Sequence, residues 1–121
     1  METDKENFRA TARIFIEVDN LETAKEAASE IINKLPEGLA IERKVLEQYW
    51  KIPEYYELFL ELQTQGISFA EMFHRLQSLA TKWKCHHTEF DLDAMWTPEV
   101  GGAFVQPQVR WAHINCFIDR Q

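Results

Sequence analysis

The sequence predicts an α+β protein: a single antiparallel sheet with two helices packed on one of its faces. Three observations carry this. Hydrophobic periodicity runs in the order alternating, helical, extended, extended, helical, alternating, alternating, which reads as β-α-β-β-α-β-β. A capping box, Ser68-Phe69-Ala70-Glu71, marks where the second helical stretch begins. Three of the alternating stretches put apolar residues on one side and a mixture of aromatic and charged residues on the other, the pattern of a sheet covered on one face only.

Residues 1–7 are polar and charged and are expected to fray. Residues 8–18 alternate, with Ala10, Ala12, Ile14, Ile16 and Val18 on one face and Arg9, Thr11, Arg13, Phe15 and Glu17 on the other. Asn20 is placed to cap a first helix, and Leu21, Ala24, Ala28, Ile31, Ile32 and Leu35 recur at helical spacing. Glu22 and Lys34 suit its dipole, and Pro36 and Gly38 end it. Residues 39–50 form a second strand with Ile41 and Val45 inward. A turn at Ile52-Pro53-Glu54 leads to a third strand over 55–62, with Tyr56, Leu58, Leu60 and Leu62 set against Tyr55, Glu57, Phe59 and Glu61.

In the second helix Ile67 and Met72 are spaced as a hydrophobic staple. The stripe Phe69, Met72, Phe73, Leu76, Leu79, Ala80 and Trp83 carries that helix to residue 83. Residues 88–96 alternate again, with Phe90, Leu92, Ala94 and Trp96 opposite Glu89, Asp91 and Asp93. Two prolines and Gly101-Gly102 make residues 97–108 a loop. The last strand covers 109–118: Ala112, Ile114, Cys116 and Ile118 share a face, and Val109, Trp111, His113, Asn115 and Phe117 share the other. The first six elements resemble the ferredoxin-like, split βαβ order, and the last strand is an addition that hairpins with the fourth. No linker or internal repeat interrupts the chain, so residues 1–121 are expected to form one domain.

With 45% hydrophobic and 27% charged residues in a chain of 121, the composition is that of an ordinary globular domain. No apolar run has the length of a membrane span, and the N-terminus lacks the layout of a secretion signal, so a cytoplasmic protein is expected. Cys85 and Cys116 are then free thiols. A net charge of −7 argues against nucleic acid and is compatible with a basic protein partner. RRM domains share this element order, but the three glutamates of the third strand would repel phosphate, and no basic or glycine positions of their signature occur there.

No motif for catalysis or a cofactor is present, and none of either is expected. Glu89, Asp91 and Asp93 line one strand face without the loop of a calcium site. Cys85, His86, His87, His113 and Cys116 match no zinc spacing, and His113 and Cys116 point to opposite faces of one strand. No metal is therefore predicted. His74 reads as a helix-boundary residue, and His113, beside Trp111 and near acidic residues, is the first candidate acid or base.

The open sheet face is the expected interaction surface, because a face left to water is more uniformly polar than this one. The partner-binding set is Phe15, Glu57, Phe59, Glu61, Asp91, Asp93, Trp96, Trp111 and His113, with Trp96 also anchoring the Gly-Gly loop. A homodimer, or residues 97–108 folding over the face, would equally cover it. The functional expectation is a non-enzymatic protein that occludes a basic protein partner, as an immunity protein neutralises a bacterial toxin. The alternative is a dimeric, ferredoxin-like enzyme or small-molecule-binding protein with its pocket between the sheet and the partner subunit.

Overall fold

The computed structural model describes residues 8–64, 68–87 and 91–118. The expected fraying of residues 1–7, the staple residue Ile67, and Glu89 and Phe90 lie outside them. The elements are β1 (Phe8–Glu17), α1 (Leu21–Asn33), β2 (Leu39–Gln48), β3 (Tyr55–Thr64), α2 (Phe69–Leu76), β4 (Lys84–His87), β5 (Asp91–Trp96) and β6 (Val109–Ile118). The strands form one antiparallel sheet in the order β2-β3-β1-β6-β5-β4. The fold is thus α+β, with six strands among the described residues where the periodicity predicts five. The last strand does hairpin with the one before it, but it also occupies the interior of the sheet, beside β1.

One apolar core lies beneath the sheet. Ala10, Ala12, Ile14 and Ile16 of β1, Leu58, Leu60 and Leu62 of β3, and Ala112, Ile114 and Cys116 of β6 all supply it. Ala24, Ala27, Ala28 and Ile31 of α1 and Met72 and Leu76 of α2 close it. Helix α1 starts where Asn20 Oδ1 accepts from the Thr23 amide at 2.9 Å, which satisfies an otherwise unpaired donor. Ser68 Oγ accepts from the Glu71 amide at 3.1 Å. The Glu71 carboxylate turns forward to Arg75 at 2.9 Å, an i,i+4 pair. Leu21, expected in the helical stripe, is 43% exposed, because it stands at the first position of α1 at the rim of the core.

The second helix ends well before residue 83. A 3₁₀ turn, Gln77–Leu79, follows Leu76. The Gln77 carbonyl accepts from Trp83 Nε1 at 2.7 Å, and Ser78 Oγ donates to the Arg75 carbonyl at 2.7 Å. The chain then pairs with the long loop: Thr81 N donates to Ala103 O at 3.0 Å, and Val105 N donates to Leu79 O at 2.8 Å. These non-local bonds replace the helical ladder and free residues 84–87 to become β4. Gly102 makes the approach possible: its φ is +72°, and a Cβ there would sit 2.4 Å from Thr81 Oγ1.

Two bulges reset which side chains face where. In β2 the register shifts between Ile41 and Arg43. Val45, expected inward, therefore pairs with Phe59 on the open side, while Leu46 packs on the core. Ile41 pairs with Leu62 but remains 39% exposed, because β2 is an edge strand. In β6 the register shifts so that Phe15 pairs with Trp111 and Ile16 with Val109. Val109, expected outside, is consequently buried. The extra residue, Arg110, is held by Glu17 Oε1 at 2.9 Å and by the Pro107 carbonyl at 2.9 Å. Both sheet edges are blunted against further pairing, β2 by its bulge with Arg43 and Lys44, β4 by its four-residue length.

Candidate functional site

The loop that might have covered the open face packs on the other side. Phe104 is buried against Trp96 and Trp83, with ring centroids 5.5 and 6.1 Å away. Gln106, also buried, donates through Nε2 to Glu30 Oε1 of α1 at 3.1 Å. Trp96 does anchor the Gly-Gly loop, donating from Nε1 to the Gly101 carbonyl at 3.1 Å. It is only 5% exposed and lies on the helix-covered side, so it is not part of the open face. The reason is its register: Trp96 pairs with Ala112, an inward residue of β6.

The other residues expected at the site share the open face. Strand pairing aligns Trp111 with Phe15, Phe15 with Glu57, and His113 with Arg13 and then Phe59. Thr11 lies between Asn115 and Glu61, and Asp93 and Asp91 pair with Asn115 and Phe117. An aromatic ridge crosses one end of the face. Phe15 sits 5.1 Å from Trp111 with the rings inclined at 30°, 4.7 Å from Tyr49 and 6.0 Å from Tyr55. The ridge continues to His113, 6.0 Å beyond Trp111, and to Trp50, 6.4 Å beyond Tyr49.

Trp50 stands at the β2–β3 hairpin tip and is 79% exposed. The tip itself is held firmly. Tyr49 N donates to Tyr55 O at 2.8 Å, Tyr55 N to Ile52 O at 2.9 Å, and Gln48 Nε2 to Pro53 O at 2.9 Å. Tyr49 and Trp50 are the functional candidates that sequence reasoning missed. Their signal was an aromatic pair directly before a proline turn, where a side chain has no core to enter.

Charge on this face is mostly compensated within the chain. Glu57 holds Arg13 Nε at 2.6 Å, and Arg43 approaches Glu61 at 3.5 Å with its guanidinium 6.0 Å from the Phe59 ring centre. Asp93 Oδ1 accepts from Asn115 Nδ2 at 2.9 Å and lies 2.9 Å from His113 Nε2. Between β2, β3 and β1 a cleft of about 210 Å³ opens to solvent, lined by Arg13, Arg43, Val45, Glu47, Glu57 and Phe59.

The arrangement offers aromatic area and charged groups already oriented by partners. The His113–Asp93 pair has the geometry of an oriented imidazole, set on a strand face. Among the described residues no cluster of three or more His, Cys, Asp or Glu could hold a metal ion, and no helix is long and apolar enough to cross a membrane. Cys116 is enclosed in the core, where burial and then the nearby Asp93 carboxylate push its thiol from 9.0 up to about 12; Cys85 is exposed and accepts from Gln77 Nε2 at 3.0 Å. No family model, curated protein or solved structure matches the chain.

Proposed function

We propose that this is a non-enzymatic, cytoplasmic binding protein that occludes a basic protein partner with its open sheet face, as a small immunity protein neutralises a toxin enzyme. The observation that carries the reading is the aromatic ridge Trp50–Tyr49–Phe15–Trp111 on the open sheet face, with Trp50 79% exposed and the other three rings half-buried against one another. Large side chains held in place before binding lose little entropy on contact, and aromatic anchors dominate interface energetics. The net charge of −7 would draw a basic partner and speed encounter. The pairing of Glu57 and Glu61 with arginines divides the labour: the rings hold the partner, and the charges set its orientation.

The test is capture of the partner from lysate of the protein's own host at low and high salt, repeated with Phe59→Ala and Trp111→Ala. A stoichiometric basic protein lost with both substitutions supports the reading. A partner retained by both removes this face from the function.

One observation favours a second reading. His113, oriented by Asp93 at 2.9 Å, is a candidate acid or base if a second subunit closes a pocket over the face, giving a dimeric enzyme or ligand-binding protein of ferredoxin-like order. Sedimentation velocity decides whether the dimer exists. An activity whose pH profile ignores His113→Ala would dismiss the histidine.

A further inference from the structure

Like charges directly opposite in a sheet destabilise it. Among the described residues the open face contains one such pair, Glu47 of β2 opposite Glu57 of β3. Glu57 is neutralised by Arg13 at 2.6 Å. Its neighbours on this face are answered as well: Glu61 by Arg43, Glu17 by Arg110, and Asp93 by His113 and Asn115. Glu47 has no ion pair among the described residues, and it lines the cleft of about 210 Å³. The cleft lining holds Arg13 and Arg43 with Glu47 and Glu57, and Arg43 is paired with Glu61, which lies outside the lining, so Glu47 is the lining carboxylate left without a cation of its own among the described residues.

The same face already shows what this chemistry accepts. Arg43 lies near a carboxylate and over an aromatic ring at once, 3.5 Å from Glu61 and 6.0 Å from the centre of Phe59. At the cleft the Glu47 carboxylate and an apolar flank, Val45 and Phe59, are present, and the two arginines that also line it are held by Glu57 and Glu61. We infer that this cleft seats an arginine side chain of the basic partner, with Glu47 taking the guanidinium and Val45 and Phe59 flanking its methylenes. The inference rests on the reading of the open face as a protein-binding surface. Arginine fits better than lysine, because its planar fork meets a carboxylate with two bonds and its weak hydration tolerates the apolar flank. Arg13 and Arg43 do not turn it away, since Glu57 and Glu61 hold them.

The experiment is an NMR titration of the labelled full-length chain with a blocked triarginine peptide, with trilysine and tricitrulline peptides as comparisons. Saturable shifts should centre on Glu47, Glu57 and Phe59, follow arginine over lysine, and be absent with citrulline. Glu47→Gln should weaken triarginine binding roughly tenfold, while Ser68→Ala, at the cap of α2 and away from this face, leaves it within about twofold. Unchanged binding by Glu47→Gln, or trilysine binding as tightly as triarginine, overturns the inference. The captured partner separates the two readings. Loss of affinity with Trp111→Ala but not with Glu47→Gln would sink the arginine seat and leave the binding face standing. Affinity unchanged by both would sink both.

Discussion

The two faces of the sheet are made by the same strands and follow opposite rules. On the covered face Ala12, Ile14, Leu58, Leu60 and Ala112 are wholly buried, aliphatic, and held by nothing more directional than contact. On the open face the alternate residues of the same strands are rings and ion pairs: Arg13, Phe15, Glu57, Phe59, Trp111 and His113. The covered face owes its stability to area removed from water, which is tolerant of detail. The open face spends large aromatic side chains where burial returns little, and it orders its charges in pairs of modest worth. Under the proposed function, stability and recognition are separated across the thickness of one sheet, so substitutions should separate them too.

The largest effect should come from the covered face. Leu58→Ala leaves a cavity in the core and should cost about 2–5 kcal/mol of unfolding free energy in a denaturant titration. The affinity of the protein that remains folded should be unchanged. Trp111→Ala should do the reverse, lowering partner affinity by about 2 kcal/mol or more, read by calorimetry, with a stability loss near 1 kcal/mol from the stack on Phe15. If both substitutions moved both quantities alike, the division between the faces would be broken.

Alkaline unfolding sharpens the picture of the core. The Cys116 thiol is raised from 9.0 to about 12, chiefly by burial, so above pH 9 the unfolded chain loses a proton that the folded chain keeps. This group's contribution is intact below pH 9 and is lost as pH rises from there towards 12, at up to about 1.4 kcal/mol per pH unit. Cys116→Ala should remove that part of the slope when chemical denaturation is repeated across the range. Ser68→Ala should cost about 1 kcal/mol by leaving the Glu71 amide unpaired, and should leave partner affinity untouched. The smallest effect is the most telling. Glu47→Gln should change stability by only a few tenths of a kcal/mol, upward, because it relieves the repulsion of Glu57. A thermal melt showing a clear fall would mean that Glu47 supports the fold instead of awaiting a partner.

Much of this could be read in the sequence, for physical reasons that differ between elements. A period of two placed Ile14, Leu58 and Ile114 in the core and Phe15, Phe59 and His113 outside, because strand geometry alone alternates side chains. Asn20 and Ser68 marked their helices because a cap is a contact within four residues. Val45 and Val109 were misplaced because a bulge inserts one residue without any change in composition, and each bulge here depends on the neighbouring strand. The apolar stripe predicts too long an α2 because it continues past Leu76, while the bonds that end the helix come from Ala103 and Val105, far along the chain.

The sequence by itself determined the local periodicities, the caps and the mixture of residue types on the open face, since all of these arise from interactions between near neighbours. Only the tertiary structure decided that the 97–108 loop covers the helix side, and that, among the described residues, Glu47 is left without a cation while Glu57 has one. Those outcomes depend on which strand lies beside which. That order is set by non-local pairing, whose energy is spread over the whole sheet and is written in no single stretch of the chain.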